Sequence, residues 1–203
     1  MGTELDVRRA EKSDFDALLT ALLVAAPDEA VTEWIMRGHP ADQFLDVYLP
    51  ELIERGLAED ELWVAGAAGE IWAVSLWQAM DSVERLHTEA AIARAHADRA
   101  PDFRPVQRSA YVTELLAREH PRRFPHRYLE LIVTVPQYRG RGAGAAILGN
   151  RIRALAAAGI PAYLEASTER SSRLYARQGF VRIGETHTLP EDGPTLIPMW
   201  FEA

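Results

Sequence analysis

The stretch TVPQYRGRGAGAAIL, residues 134–148, decides the fold. A β-branched segment runs into Pro136, glycines follow at 140, 142 and 144, and an alanine-rich helical segment begins. Glycine lets the backbone approach a ligand with no Cβ in the way. The first N–H groups of a helix have no partner inside it, and the helix dipole there favours an anion. Arg139 and Arg141 add positive charge at the same place. The pattern is that of a phosphate or pyrophosphate cradle. A structural turn explains one glycine, but not three with two arginines. Gly140-x-Gly142-x-x-Ala145, with Glu165 downstream, fits a relaxed dinucleotide fingerprint. Roughly sixty residues follow it, too few for the second half of a doubly wound sheet. A nucleotide-binding P-loop is excluded, because no Gly-Lys-Ser/Thr closes the string.

Working outward, Tyr128–Val135 is the strongest strand of the chain, and Pro136 ends it. Downstream, Ala143–Ala158 reads as a helix with Ile147, Leu148, Ile152 and Leu155 inward and Gly159 as its stop. Ala162–Glu165 is a short strand, Ser171–Gln178 a helix capped by Gly179, and Phe180–His187 and Thr195–Phe201 two closing strands around a turn at Pro190–Pro194. Upstream, HPRRFPH at 120–126 is a loop, and Ser82–His120 is helical with a break at Ala100–Pro105. Leu62–Ala65 and Ile71–Trp77 form a hairpin around Gly66–Gly69. Before it come a strand at Leu5–Arg9 and a helix from an N-cap at Ser13, with Phe15, Leu18, Leu19, Leu22 and Leu23 on one face. Two more helices follow, Ala30–Met36 and Ala41–Arg55, the latter closed by Gly56. Strands alternating with helices, plus hairpins at both ends, predict a mixed α/β sandwich.

The chain has 203 residues, a formal charge of −8, 48 % apolar residues and no cysteine. That length predicts one domain, 1–203. Without cysteine there is no disulfide scaffold, thiolate zinc site or cysteine nucleophile. The acid excess argues against a nucleic-acid or anionic-membrane binder. The longest apolar run, ALLTALLVAA at 17–26, falls short of a membrane span, and the first fifteen residues carry charges throughout. The six histidines form no ligand pair, so no metal is expected. These features predict a cytoplasmic protein, a monomer or homodimer.

Arg139-x-x-Gly142-x-Gly144 resembles the Arg/Gln-x-x-Gly-x-Gly/Ala signature of the GNAT acyltransferases. PAYLEAS at 161–167 looks like that family's fifth strand, and SSRLYARQGF at 171–180 like its following helix with a Tyr-x-x-x-Gly-Phe ending. The segment from His120 to Met199 is similar to the puromycin N-acetyltransferase group of actinobacterial resistance enzymes, including Leu164-Glu165 and the Pro-x-x-Gly-Pro turn at 190–194. The first half is similar more loosely, through element order and the string WVA at 63–65.

The resemblance implies a single-domain GNAT fold: a mostly antiparallel mixed sheet flanked by helices, with a splayed central strand pair. Residues 1–120 would form the acceptor side with helical insertions, and 121–203 the acetyl-CoA side. Backbone groups of Ile132, Val133 and Thr134 would pair with the pantetheine arm, and Arg139, Gly140, Arg141, Gly142, Ala143 and Gly144 with the pyrophosphate. Ser171 stands where family members often have an asparagine that touches the same arm. The implied reaction moves an acetyl group from acetyl-CoA directly to a primary amine of a small molecule, an antibiotic-like amine among the candidates. Acetylation of a metabolite or protein amine, and a non-catalytic acyl-CoA sensor, remain as alternatives.

Such transfer needs a neutral amine and a protonated leaving thiolate. Tyr175 looks like the family's general acid. Glu130, on the face of Ile132 and Thr134 under strict alternation, is the candidate base or water holder; Glu165, at the end of the fifth strand, would orient the amine or hold a water, and a water chain to bulk is the alternative base. As a structural residue, Glu130 would pair with Arg127. His120 and His126 titrate in a useful range but read as exposed loop histidines. Trp34, Tyr48, Trp72 and Trp77 are either an aromatic acceptor slot or ordinary core.

Overall fold

Strand β4, His126–Thr134, lies inside an eight-stranded mixed sheet. The computed structural model describes residues 4–203; Met1–Thr3, part of the charged opening stretch, lie outside the described residues. The sheet order is β1 (Asp6–Arg9), β2 (Glu61–Ala67), β3 (Glu70–Met80), β4, β5 (Ala162–Ala166), β8 (Thr195–Phe201) and β6 (Val181–Arg182), with β7 (His187–Thr188) paired to β8. Among the described residues, only β4 and β5 run parallel. On one face lie α1 (Phe15–Ala25), α2 (Ala30–Met36), α3 (Asp42–Ala58), α4 (Glu84–Arg99) and α5 (Arg104–Glu119). On the other lie α6 (Ala143–Ala158) and α7 (Glu169–Ala176). This is a single-domain α/β fold, as the sequence predicts.

The apolar stripes explain the layers. Leu18 and Leu22 of α1 are fully buried with Leu45, Leu49 and Ile53 of α3. Each such side chain contributes about 1.5–3 kcal/mol relative to exposure. Ile147, Leu148, Ile152 and Leu155 put α6 on the opposite face, and Gly159 ends it in the left-handed region at φ 67°.

Two irregularities of β4 shape the centre. Its pairing with β5 is confined to Arg127↔Ala162 and Tyr128↔Tyr163, so the two strands splay beyond that rung. Opposite β3, Leu131 pairs with Leu76 and Leu129 with Trp77, which leaves Glu130 as the extra residue of a bulge. Strict alternation fails there. Leu131 and Val133 face the α1–α3 layer, whereas Ile132 packs toward α6. Glu130 turns to Arg55 of α3, on the face opposite Ile132 and Thr134, and this corrects the expected shared face.

Other expectations are also revised. Ser13 is not a cap: it sits in a 3-10 turn, Lys12–Asp14, closed by a capping box between Glu11 and Asp14. Gly56 does not stop α3, which runs to Ala58. A Cβ there would lie 2.8 Å from Leu62 Cδ1, so this glycine serves close helix–sheet packing. Pro105 lies in the first turn of α5, where a missing N–H is harmless. The expected strand Phe180–His187 breaks into β6 and β7.

Gly66 lies at a second bulge: Ala65 pairs with Ala73 and Gly66 with Ile71, which leaves Trp72 of β3 as the extra residue. A Cβ at Gly66 would lie 1.7 Å from the Glu70 carbonyl oxygen, a backbone atom that moves only with the hairpin. Gly66→Ala is expected to cost at least ~2 kcal/mol, which lowers Tm by roughly 4–8 °C. A thermal melt within 1 °C of the parent would contradict this packing.

Candidate active site

The glycine-rich loop has the predicted form. After β4 and a short 3-10 turn at Pro136–Tyr138, Gly140 and Gly142 adopt φ of 77° and 85°, and nothing lies within 4 Å of where their side chains would begin. Gly142 is the N-cap of α6, and Ala143, Gly144 and Ala145 present first-turn amides with no acceptor inside the helix. Gly144 is needed for close approach, because a Cβ there would stand 3.1 Å from Thr134 Oγ1. The Arg141 guanidinium lies over Trp72 and Tyr138, whose rings stack 4.7 Å apart. Arg139 makes a 3.0 Å ion pair with Asp28, just before α2.

The splay exposes one edge of β4. Val135 N–H donates to Trp72 O at 2.9 Å, so ladder parity assigns the backbone groups of Val133 to β3. Those of Ile132 and Thr134 point instead to the open edge. Val133, buried on the α1–α3 side, therefore drops out of the expected backbone-binding set.

A cavity of about 230 Å³ passes through the splay. It is lined from one face by α2, α3 and α5, and from the other by Leu164, Ser171 and Tyr175. Ile132 of β4, Glu130 and Glu165 also border it. The structure thus brings Tyr175, Glu130, Glu165, Ile132 and Ser171 to one space, with the residues of the 139–144 loop outside its lining. Tyr175 packs on Phe180 in the α6–α7 core, and burial, with the Glu29 charge adding, pushes its phenol pKa up. It therefore holds its proton at neutral pH.

The two acids differ. Glu165 is on the α1–α5 face of β5, as is Tyr163 two residues earlier. Burial pushes its pKa up to about 7, against the opposing influence of the Tyr163 and Tyr128 hydroxyls. Glu130 is also raised by burial, but both its oxygens are engaged. Arg55 Nη2 reaches them at 2.9 and 3.1 Å, and Gln78 Nε2 donates at 2.7 Å. Arg55 continues to Glu89, and Arg85 links Glu89 to the buried Asp60. Arg127, the expected partner of Glu130, lies 3.6 Å from Glu61 instead. The Arg55–Glu130 pair spans 75 positions, and neither spacing nor composition signals it.

Ser171 is less available than the sequence implies, since its hydroxyl forms a capping box with Thr168 at the start of α7. His120 and His126 are buried, with their Nε2 atoms 2.9 Å apart, and neither lines the cavity. Burial lowers both, His120 to about 3. Of the four aromatics, only Tyr48 borders the cavity, stacked on Phe44 at 5.2 Å. Trp34 and Trp77 are core, and Trp72, buried on β3, stacks on Tyr138 beneath Arg141 of the glycine loop. Among the described residues, no helix is long and apolar enough to cross a membrane, and no group of three or more His, Asp or Glu could hold a metal ion.

The family model for the acetyltransferase (GNAT) family matches residues 106–180. An acetyltransferase from Corynebacterium glutamicum, described as histone acetyltransferase HPA2 and related, superposes with a TM-score of 0.70 at 24% identity, covering 98% of this chain and 97% of that one. Drosophila melanogaster polyamine N-acetyltransferase, which forms N-acetylagmatine, gives 0.68 at 18%, covering 98% and 100%. Arylalkylamine N-acetyltransferase 2 from Aedes aegypti gives 0.71 at 13%, covering 98% and 99%. The family model thus matches a central segment of the chain, and the solved structures share its fold over nearly its whole length.

Proposed function

From a GNAT acetyltransferase fold with a cavity running through its splay, we propose that this protein acetylates the primary amine of a small molecule with an apolar body. The carrying observation is that cavity: Tyr175 meets it from one face of the sheet and Glu165 from the other. The open β4 edge at Ile132 and Thr134, and the cradle of Arg139, Gly140, Arg141, Gly142, Ala143 and Gly144, fit the arm and pyrophosphate of acetyl-CoA. When bound, acetyl-CoA supplies an activated thioester.

The chain's own residues do the rest. Glu165, poised near pH 7, takes a proton from the incoming ammonium, leaving the amine free to attack. Tyr175 Oη holds the proton that the departing sulfur requires. Glu130, held by Arg55 and Gln78, supplies fixed negative charge that favours a cationic acceptor at the wall. Val31, Ile35, Phe44, Tyr48, Leu49 and Val112 make most of that wall apolar, which favours an aryl- or alkylamine over a polar metabolite. The cavity's size favours a small molecule over a protein amine, and a puromycin-like aminonucleoside is one such amine. In this reading 1–120 supplies most of the acceptor side and 121–203 the acetyl-CoA side.

The test combines calorimetry with acetyl-CoA and a screen of arylalkylamines, polyamines, puromycin and a peptide amine, read by free thiol release. Acetyl-CoA is expected to bind and the apolar amines to turn over fastest. No heat and no thermal shift at millimolar acetyl-CoA overturns the reading. Binding without thiol release from any amine favours the sensor alternative.

A further inference from the structure

The closing turn Pro190–Pro194 lies outside the cavity, yet it grips the helix that walls it. Helix α2 contributes Val31, Thr32 and Ile35 to the acceptor side. Its first turn is capped by the Glu29 carboxylate, which accepts from Val31 and Thr32 N–H, both at 2.9 Å. Its far end is held by one side chain of α5. Arg108 Nη1 donates to the carbonyls of Trp34 at 3.0 Å and Arg37 at 2.9 Å, with Ile35 O at 3.4 Å. These carbonyls belong to a helix end, and the guanidinium supplements the backbone bond there from Arg37 N–H to Trp34 O at 3.3 Å.

The other edge of that guanidinium reaches the turn. Arg108 Nη2 and Nε lie 2.7 and 3.1 Å from Glu191 Oε2, and Arg104 pairs with the same carboxylate. Trp34 Nε1 donates to Pro190 O at 2.8 Å, and Arg37 Nη1 to Glu191 O at 3.0 Å. Glu191 and Asp192 both adopt positive φ, 54° and 55°, which non-glycine residues rarely do unless their surroundings hold them. At Gly193 a Cβ would lie 2.6 Å from Leu189 Cβ and 2.8 Å from Trp34 Nε1. The turn is therefore fitted to α2, and Arg108 joins the two. Ser109 and Val112, next to Arg108 and one turn on, line the cavity from α5.

We infer that Arg108, latched to Glu191, is a positioning residue for the acceptor: it fixes the α2 wall against which the amine is held. This rests on the proposed acetyl transfer. Only Arg has a planar fork that serves three backbone carbonyls from one edge and a carboxylate from the other.

Arg108→Ala is expected to raise KM for the amine at least tenfold, with KM for acetyl-CoA within twofold of the parent. Arg108→Lys should recover part of the loss. Amide exchange over residues 30–36 should quicken while that of 169–176 stays as it was. An unchanged amine KM, or equal rises in both KM values, overturns the inference. If the alanine variant does not fold, Glu191→Gln decides: a twofold to fivefold rise confined to the amine KM supports the latch, and no rise sinks it. If no amine turns over, the proposed function fails, but exchange across 30–36 still reads the latch, and an unchanged rate there overturns it.

Discussion

Tyr175→Phe is expected to bind acetyl-CoA as the parent does while kcat for amine acetylation falls at least tenfold. The ring fills space beside Phe180, and phenylalanine preserves that packing. Only the hydroxyl is lost, and with it the proton for the departing sulfur. General acid catalysis of this kind is worth about 10²–10⁴ in rate. Burial holds the phenol pKa above its ordinary value, so the loss should be equal across pH 6–9. Calorimetry with acetyl-CoA, paired with a thiol-release assay, makes the check. Unchanged turnover removes Tyr175 as the acid.

Glu165→Gln should lower the rate at pH 7.5 by ~10²-fold and abolish the rise of activity with pH. In the parent the carboxylate acts when ionised, so activity climbs as pH passes through about 7 and then levels. Stability moves the other way. Burial raises this acid in the folded state, so folding favours its protonated form. The parent then loses stability as pH climbs from the ordinary glutamate range, near 4.5, to about 7, and glutamine does not. At pH 8 the variant is therefore expected to be more stable than the parent, by roughly 1–3 kcal/mol. An inactive protein with a raised Tm separates lost chemistry from lost fold. A variant that keeps its activity and its pH profile assigns the base elsewhere.

Local chemistry was legible in the sequence, and non-local chemistry was not. Glycines before an alanine-rich helix dictate the form of the 139–144 loop, because positive φ and free helix N–H groups are properties of a few adjacent residues. The stripes of α1 and α6 come from 3.6-residue spacing and place those helices correctly. Glu130 shows where such reading stops. Period-two alternation puts it beside Ile132, and a bulge visible only against β3 turns it to Arg55. The same holds for the histidines, which look solvated in a proline-rich loop and are buried against Tyr128 and Tyr163. The tryptophans gave no distinction by type alone. Trp34, Trp72 and Trp77 are each buried, and which of them faces a ligand depends on the layer above.

The latch at Pro190–Pro194 has a consequence for biosynthesis. Trp34 waits for a partner 156 positions downstream, a long loop to close. The glycine loop at 139–144 relies on neighbouring chain and on earlier residues, Trp72 and Asp28, and so can form before that partner leaves the ribosome. A nascent chain would thus form its glycine loop before helix α2 is latched.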